Sequence, residues 1–344
     1  MKTIRFFSLL LLCCLNLHAL AATPVTPAIA SPHAIDIPPW FKDSFLDLRA
    51  DIKEATAAKK RTMLYFGQDG CPYCTQLMQV NFSQKDIVAS MHQHFDAIAL
   101  NIWGDKETIW LDGKTRTEKE LAAFLRVQFT PTLLFLDESG NVVLRINGYY
   151  PPHKFRAALK FVGEKMEKQV LFPDYLKASV TESASGILHE QPFFMAQPYN
   201  LKRNSAAARK PLLVLFEQKE CAACDEMHAQ GFKNADILAQ LKQFEVVRLS
   251  LFGKTPVITP DGKQMTEAEW GRALKVAYTP SMVFFDEQGK EVFRVDAYLK
   301  PFHLLSSLEY VTSKAYLKQP NFQRFIEARA EKLRKAGTPV ELWN

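Results

Sequence analysis

The chain has 344 residues and a formal net charge of +6, from 43 lysines and arginines against 37 aspartates and glutamates. Of its residues 47% are hydrophobic, and the chain is long enough for each of its domains to bury its own core. The length predicts two domains, at about 100 to 200 residues each. The basic residues form no stripe with interleaved aromatics, so nucleic acid is not an expected partner.

The amino terminus carries the pattern of an export signal. Lys2 and Arg5 precede an apolar run from Phe6 to Leu17, and small residues follow as far as Ala22. This combination predicts a signal peptide over residues 1–22. The run is too short for a transmembrane helix and no longer one follows, so we expect an exported, soluble protein.

The six cysteines divide into two groups. Signal cleavage removes Cys13 and Cys14; a lipid anchor on one of them is an alternative, but the residues just before them are not the small ones that such a signal needs. The other four form two Cys-x-x-Cys pairs, Cys71–Cys74 and Cys221–Cys224. Such a pair closes too small a loop to constrain a fold, so its spacing favours redox chemistry.

Both pairs belong to a longer repeated pattern. Each pair follows an apolar run, and each is followed further along the chain by Thr-Pro opening a second apolar run, at Thr130-Pro131 and at Thr279-Pro280. The two copies are offset by 149 to 150 positions, and other residues match at this offset, such as Phe66 with Phe216. The repeat is longer than the roughly 20 to 50 residues of a solenoid unit, so it indicates duplicated domains.

Each copy predicts the element order strand, helix, strand, helix, strand, strand, helix. Apolar runs indicate the strands, a Thr-x-x-Glu capping box starts the middle helix, and Asp-Glu-x-x-Gly turns join the last two strands. In the first copy the predicted elements are strand 63–66, helix 75–80, strand 95–102, a helix after Thr117, strands 132–136 and 142–146, and a helix over 155–162. In the second they include strand 212–216, a helix after Thr266, strands 281–285 and 291–295, and a helix over 304–311.

The predicted boundaries follow from breaks in this periodicity. A first domain over residues 38–170 is followed by a partly ordered linker over 171–210, which contains a Ser/Thr patch and a basic patch. The second domain covers 211–336 and includes a C-terminal helix on which Phe322 and Ile326 share one face. Residues 337–344 form a tail.

These features resemble the thioredoxin superfamily, and among its members the exported, periplasmic thioredoxins associated with sulfur oxidation. The resemblance rests on a strand that runs into Cys-x-x-Cys at a helix start, and on Thr-Pro opening the next hairpin. It implies an α/β fold of two tandem thioredoxin-like domains, each a central mixed sheet flanked by helices. It also implies cis peptides before Pro131 and Pro280, with Thr130 and Thr279 beside them in contact with substrate.

The position of the cysteines explains the expected chemistry. A cysteine at a helix start faces free backbone N–H groups, which stabilise its thiolate. Cys71 and Cys221 are therefore predicted to attack a partner disulfide, and Cys74 and Cys224 to resolve the mixed disulfide. The expected function is that of a thiol-disulfide oxidoreductase of reductase or isomerase type. Its expected partners are protein disulfides and a redox donor or acceptor protein, in solution or in the membrane; no cofactor is expected.

The sequence departs from the family at the position of a buried acid that precedes the dithiol. Many thioredoxins carry a buried Asp six positions before the first cysteine, where this chain has Tyr65 and Leu215, neither of which can serve as a base. Asp69 and Glu217 could supply a carboxylate near the dithiols instead, but both are predicted to be solvated loop acids. His228, one helical turn after the second dithiol, is a candidate thiolate neighbour.

The two dithiols are not predicted to be equal. Glu220 directly precedes Cys221, and a negative charge there raises the pKa of a thiol, so the first dithiol is predicted to be the more acidic. Two alternatives remain. Zinc bound by four cysteines is disfavoured because the pairs lie in different domains, so no metal site is predicted. A binding or chaperone-like protein without redox turnover is the second alternative.

Overall fold

A computed structural model describes residues 34–203 and 210–340. These residues belong to one compact unit of the chain. The predicted signal peptide, residues 1–22, lies outside the described residues. The fold consists of two domains with the same arrangement of strands and helices, each followed by one additional helix.

The strand before each dithiol is buried on both faces. In Arg61–Gly67 every residue is buried. Met63 and Tyr65 pack into one hydrophobic cluster, whereas Leu64 and Phe66 pack into another on the opposite face of the sheet. Because successive side chains of a strand point to opposite faces, a strand covered on both sides must be apolar almost throughout. This explains the apolar run that precedes Cys71.

The first domain and its additional helix contain six helices and six strands within the described residues. A π-helical turn, Leu77–Asn81, continues the helix Pro72–Gln76 that starts after Cys71; we call this helix and its counterpart in the second domain, Ala222–Ala229, the redox helices. In chain order the elements are α1 (Leu48–Ala57), β1 (Arg61–Gly67), α2 (Pro72–Gln76), α3 (Lys85–His94), β2 (Phe95–Asn101), β3 (Glu107–Ile109), β4 (Thr115–Thr117), α4 (Glu118–Phe124), β5 (Thr132–Leu136), β6 (Val142–Asn147), α5 (Pro152–Gly163) and α6 (Phe172–Ser179).

The second domain repeats this order, except that a short strand replaces its first helix. The elements are β7 (Tyr199–Asn200), β8 (Leu212–Glu217), α7 (Ala222–Ala229), α8 (Ala235–Leu241), β9 (Glu245–Ser250), β10 (Pro256–Ile258), β11 (Gln264–Thr266), α9 (Glu267–Ala273), β12 (Ser281–Phe285), β13 (Glu291–Val295), α10 (Pro301–Thr312) and α11 (Phe322–Lys335).

The central sheets have identical topology. The strand order is β2-β1-β5-β6 in the first domain and β9-β8-β12-β13 in the second. In each sheet the first two strands are parallel and the other neighbours are antiparallel. The fold class predicted from the sequence, two thioredoxin-like domains with mixed sheets flanked by helices, is confirmed. The redox helix starts directly after the central strand of each sheet, at the carboxyl end of its parallel pair.

Most predicted elements are present, and both capping boxes are confirmed: Thr117 with Glu120, and Thr266 with Glu269. Helices α1, α3 and α8 are absent from the prediction. Each of them buries only two or three apolar side chains among charged and polar ones, so its periodicity is weak in the sequence.

The segment predicted as a linker, residues 171–210, contains regular structure at both ends of its described part. It begins with α6, whose Phe172 is buried in the core of the first domain. Near its end, β7 pairs with β10 of the second domain through Tyr199 and Val257. Between them, residues 182–191 cross from the first domain to the second; we call this segment the strap.

Candidate active site

The two dithiols have the same backbone geometry. Cys71 and Cys221 each occupy the N-cap of the redox helix, and each pair is joined as a disulfide with Cα atoms 5.2 Å apart. In each domain the backbone N–H of the second cysteine donates to the sulfur of the first at 3.1 Å. An amide aimed at this sulfur stabilises the thiolate once the disulfide is reduced. All four cysteines are buried.

The Thr-Pro steps lie beside the dithiols. Both are cis, as the resemblance implies. The Cys71 sulfur lies 3.3 Å from the carbonyl oxygen of Thr130, close enough to donate to it as a thiol. Thr130 and Thr279 are only 6% and 5% exposed, so neither is open to a protein substrate in this arrangement.

The side chains beneath the two dithiols differ. In the first domain the Tyr65 hydroxyl is buried without a hydrogen-bond partner, and burial raises the pKa of this hydroxyl. A Cβ on Gly67 would lie 2.1 Å from that hydroxyl oxygen, so only glycine fits there. In the second domain the corresponding residues are Leu215 and Glu217. The polar side chain in the second half of the central strand is therefore Tyr65 in the first domain, whereas in the second domain it is Glu217, two positions further along the strand.

The prediction that Glu217 is a solvated loop acid is wrong. Glu217 is the last residue of β8, is 1% exposed, and accepts a hydrogen bond from Nε2–H of His228 at 2.8 Å. The strand runs one residue further than its apolar stretch, and the partner comes from the redox helix, which the sequence could not place against it. Asp69 and Glu220 are exposed, as predicted for Asp69.

The strap covers the second redox helix. Ser185 donates to Asp225 through its backbone N–H at 2.7 Å and its hydroxyl at 2.6 Å. His189 pairs with the same carboxylate at 2.6 Å. The strap therefore holds the residue directly after Cys224.

The strap also reaches His228. Nε2 of Gln191 lies 3.0 Å from Nδ1 of His228, and the rings of His189 and His228 are stacked with centroids 4.5 Å apart. In the sequence, only the one-turn spacing between Cys224 and His228 indicates that this histidine has a role near the dithiol.

The two domains exchange one aromatic side chain each. Phe129, just before Thr130, packs in the core of the second domain against Phe293 and Phe322. Tyr278, just before Thr279, packs in the core of the first domain, stacked on Tyr150 with ring centroids 4.2 Å apart. A signal for this exchange was present, because both copies place an aromatic residue immediately before Thr-Pro.

The interface is nearly symmetric. Asn147 donates to Asp296 at 2.7 Å across 149 positions, which is also the offset between the two Thr-Pro steps, so each residue meets its own counterpart. Gly148 and Ala297, also counterparts, approach each other directly. Such self-complementary contacts are typical of a two-fold dimer interface. Here both halves belong to one chain.

The second domain packs against Tyr73, one of the two residues between Cys71 and Cys74. The backbone N–H of Lys300 donates to the Tyr73 hydroxyl at 3.4 Å, and the ring of His303 meets the ring of Tyr73 edge-on at 5.5 Å. Burial lowers the pKa of His303 to about 4 and raises the pKa of Tyr73. The second dithiol has the small spacer Ala222-Ala223, which offers no comparable side chain.

The additional helices reach across the interface. From α11, Gln323 accepts a hydrogen bond from Gln68 at 2.9 Å, and the Arg324 guanidinium lies 3.9 Å from the centre of the Trp103 ring. From α6, the Lys177 ammonium lies 4.3 Å from the centre of the Phe252 ring. Trp103 and Phe252 are counterparts in the repeat, and an open cleft of about 470 Å³ lies beside Phe252, lined in part by Lys177, Glu182 and Glu220.

Two further observations concern the described residues only. The structure there brings together no group of three or more His, Cys, Asp or Glu side chains that could hold a metal ion. Nor does that part of the chain contain a helix long and apolar enough to cross a membrane.

Comparison with known proteins gives matches in both domains. The profile of the thioredoxin-like domain matches residues 48–163 and 199–312. Among solved structures, the chain is similar to a thioredoxin-fold protein from Helicobacter pylori, at 27% identity over 35% of this chain and 80% of that one, with a TM-score of 0.29. It is similar to a thioredoxin from Thermus thermophilus, at 25% identity over 34% and 83%, with a TM-score of 0.27. The C-terminal domain of DsbD from Neisseria meningitidis, in the oxidised form, matches at 14% identity over 33% and 92%, with a TM-score of 0.27.

A search of curated proteins found no match. Because the TM-scores of the solved structures are low, the family assignment rests on the paired domain match, which spans more than half of the chain. Both matched ranges include a Cys-x-x-Cys pair and a Thr-Pro step. The chain therefore belongs to the thioredoxin-like domain family and carries this domain twice.

Proposed function

We propose that the protein is a thiol-disulfide oxidoreductase that exchanges disulfides with protein substrates. The observation that carries the proposal is the paired N-cap geometry, in which a backbone N–H lies 3.1 Å from the sulfur of Cys71 and likewise from that of Cys221. This arrangement stabilises the attacking thiolate and keeps the resolving cysteine within reach. The Cys-Pro-Tyr-Cys spacer and the Thr before the cis-proline favour reduction or isomerisation.

The proposed substrates reach the dithiols only when the domains move apart. Phe129 and Tyr278 are buried in the opposite domain, and the Thr-Pro steps next to them are buried as well. Thr130 and Thr279 keep their proposed role in substrate contact for such an opened state. A further redox protein, in solution or in the membrane, is proposed to supply or accept the electrons.

We also propose that the protein is exported to the periplasm and is nearest in role to the thioredoxins associated with sulfur oxidation. The support is the pattern of residues 1–22 and the lack of any cysteine beyond the two pairs after residue 22.

Reduction of insulin by the full mature chain tests the enzymatic proposal. We expect turnover in the unmodified protein, a partial loss in Cys71→Ala and in Cys221→Ala, and complete loss when both are changed. If neither single change nor the double change lowers turnover, the protein is not an oxidoreductase.

A binding or chaperone-like role is the second candidate. The observation in its favour is that all four cysteines and both Thr-Pro steps are buried. A variant with all four cysteines changed to serine should then still suppress the aggregation of an unfolded protein as well as the parent does. Loss of that suppression together with the cysteines would remove this candidate.

A further inference from the structure

The second domain holds a buried acid-histidine pair that the chemistry above does not use. Glu217 and His228 are 1% and 5% exposed, and Nε2–H of His228 donates to Oε1 of Glu217 at 2.8 Å. The other carboxylate oxygen, Oε2, is also buried and has no hydrogen-bond partner. An unsatisfied buried carboxylate oxygen is an open position for a proton or a donor.

The pair lies between β8 and the face of α7 that packs on the central sheet. Leu215 and Glu217 are two residues apart on β8, so their side chains share one face of the sheet. Leu215 packs on that face in one cluster with Met227 of α7. Glu217 therefore faces the helix that carries Cys224. His228 follows Cys224 by one helical turn, and side chains at this spacing are neighbours, with Cβ atoms about 5 to 6 Å apart.

The strap orients the histidine. Gln191 donates to Nδ1 of His228 at 3.0 Å, which leaves the imidazole proton on Nε2, facing Glu217. The other titratable groups around the pair are His189, stacked on His228, and Asp225, which holds His189 at 2.6 Å.

The next acid on α7 is engaged elsewhere, because Glu226 pairs with Lys300 at 2.8 Å. The first domain has no such pair, since Gly67 and Met78 occupy the positions of Glu217 and His228.

We propose that Glu217, held in place by His228 and the strap, takes up the proton that Cys224 releases when it resolves a mixed disulfide. The proposal rests on the proposed exchange activity and assigns the proton of that reaction in the second domain. The Cys224 sulfur attacks the Cys221 sulfur, and the Cys221–Cys224 bond forms. The bond between Cys221 and the partner breaks, and the partner leaves as a thiolate with the electron pair. The proton of the Cys224 thiol moves to Oε2 of Glu217.

Two-phase kinetics on the full mature chain, which lacks Cys13 and Cys14, test this role. In a Cys71→Ser, Cys74→Ser background only the second dithiol reacts, so reduced protein mixed with dithiobis-nitrobenzoate releases one coloured thiol on attack by Cys221 and a second on resolution by Cys224. We expect Glu217→Gln to slow the second phase about tenfold at neutral pH and to leave the first phase unchanged. The difference should shrink as the pH rises, because a thiol that ionises in alkaline solution no longer needs a proton acceptor. Glu217→Asp should recover part of the rate.

The matched control is Glu220→Gln, which removes the same charge from the exposed acid before Cys221 and should change the second phase less than about twofold. An unchanged second phase in Glu217→Gln, or an equal slowing of both phases at every pH, overturns the proposal. Should that variant fail to fold, Gln191→Leu on the strap must slow the second phase, and no slowing overturns the proposal too. A parent that shows both phases but reduces no protein disulfide refutes the proposed function and leaves the proton role standing.

Discussion

The two domains hold their dithiols in the same backbone frame, with an amide 3.1 Å from the first sulfur in each, but surround them with different side chains. The first dithiol has Tyr65 beneath it and Tyr73 above it, locked against His303 of the second domain. The second has a buried acid-histidine pair beneath it and the strap across its helix. The helix start sets the basic reactivity of a thiol, while neighbouring side chains adjust it. The duplication has therefore kept the backbone geometry of the dithiol and left the two sites with different polar neighbours and different covering segments.

The interface is the feature that the two domains share most closely, and breaking it should have the largest effect. Phe129→Ala and Tyr278→Ala each remove a buried aromatic side chain from the opposite domain, at a cost of about 3 to 5 kcal/mol of the free energy of unfolding. Both should also speed alkylation of the reduced cysteines under native conditions, because the Thr-Pro loops lose their cover. Urea unfolding and the alkylation rate measure the two effects.

Phe285→Ala is the matched control for this prediction. Phe285 is buried in the second domain against Trp270, within a cluster that contains no residue of the first domain. It should lower the free energy of unfolding by a similar amount without changing the alkylation rate at low urea. Equal alkylation rates in all three variants would mean that the interface does not shield the dithiols.

The first domain has Tyr65 and Gly67 where the second has Leu215 and Glu217, and substitutions can test whether Tyr65 excludes a side chain at position 67. A Cβ on Gly67 would lie 2.1 Å from the Tyr65 hydroxyl oxygen and 2.4 Å from the ring, so Gly67→Ala should cost about 3 kcal/mol in unfolding free energy. In a Tyr65→Leu background, which copies the second domain, the same substitution should cost much less. Chemical unfolding of the double-mutant cycle gives the coupling directly. Additive costs would show that the two positions do not compete for space.

His303 should make the stability of the protein depend on pH. Burial lowers the pKa of His303 to about 4, whereas a histidine in the unfolded chain titrates near about 6.5. Between these values the unfolded chain binds a proton that the folded protein does not, so stability is lost as the pH falls. From about pH 7 to pH 5 this histidine should account for about 2 kcal/mol of the lost free energy of unfolding.

Urea unfolding at both pH values measures this dependence. His303→Phe should reduce the loss, and the control His153→Gln, which changes a half-exposed histidine of the first domain, should not. The same loss in His303→Phe as in the parent would assign the pH dependence to other groups.

The smallest expected effect concerns a feature that the two domains share, the capping boxes of α4 and α9. Thr117 and Thr266 cap α4 and α9 with the same reciprocal bonds, each accepting from the N3 amide at 3.3 Å. Thr117→Ala and Thr266→Ala should therefore each cost about 1 kcal/mol, and by equal amounts. Their urea midpoints should shift together; clearly unequal shifts would show that the two domains unfold separately rather than as one unit.

Much of the fold could be predicted from local patterns. The sequence predicts the strands at 132–136 and 281–285 at their observed bounds, and it predicts both capping boxes, because buried strands and helix caps are specified by neighbouring residues. The amphipathic helices α1, α3 and α8 were missed, since a helix that buries two or three apolar side chains has almost no sequence signal.

The candidate active site, like the fold, could be predicted from the sequence only in part. The four cysteines and the two Thr-Pro steps could be located from spacing and repetition alone. The buried state of Glu217 could not, because its partner His228 lies on the next element and strand length decides whether residue 217 enters the core. The aromatic residue before each Thr-Pro step is visible in the repeat, but the sequence does not show that Phe129 and Tyr278 are each buried in the opposite domain.

The sequence by itself determined that the protein has two domains of one family, each with a dithiol at a helix start and a Thr-Pro step beside it. These features follow from short-range periodicity, spacing and turn chemistry, which act within a few residues. Only the tertiary structure decided that the domains close over each other's Thr-Pro loops, and that the two dithiols have different polar groups beneath them. Those outcomes depend on which apolar surfaces are buried together, and burial joins residues that lie far apart along the chain.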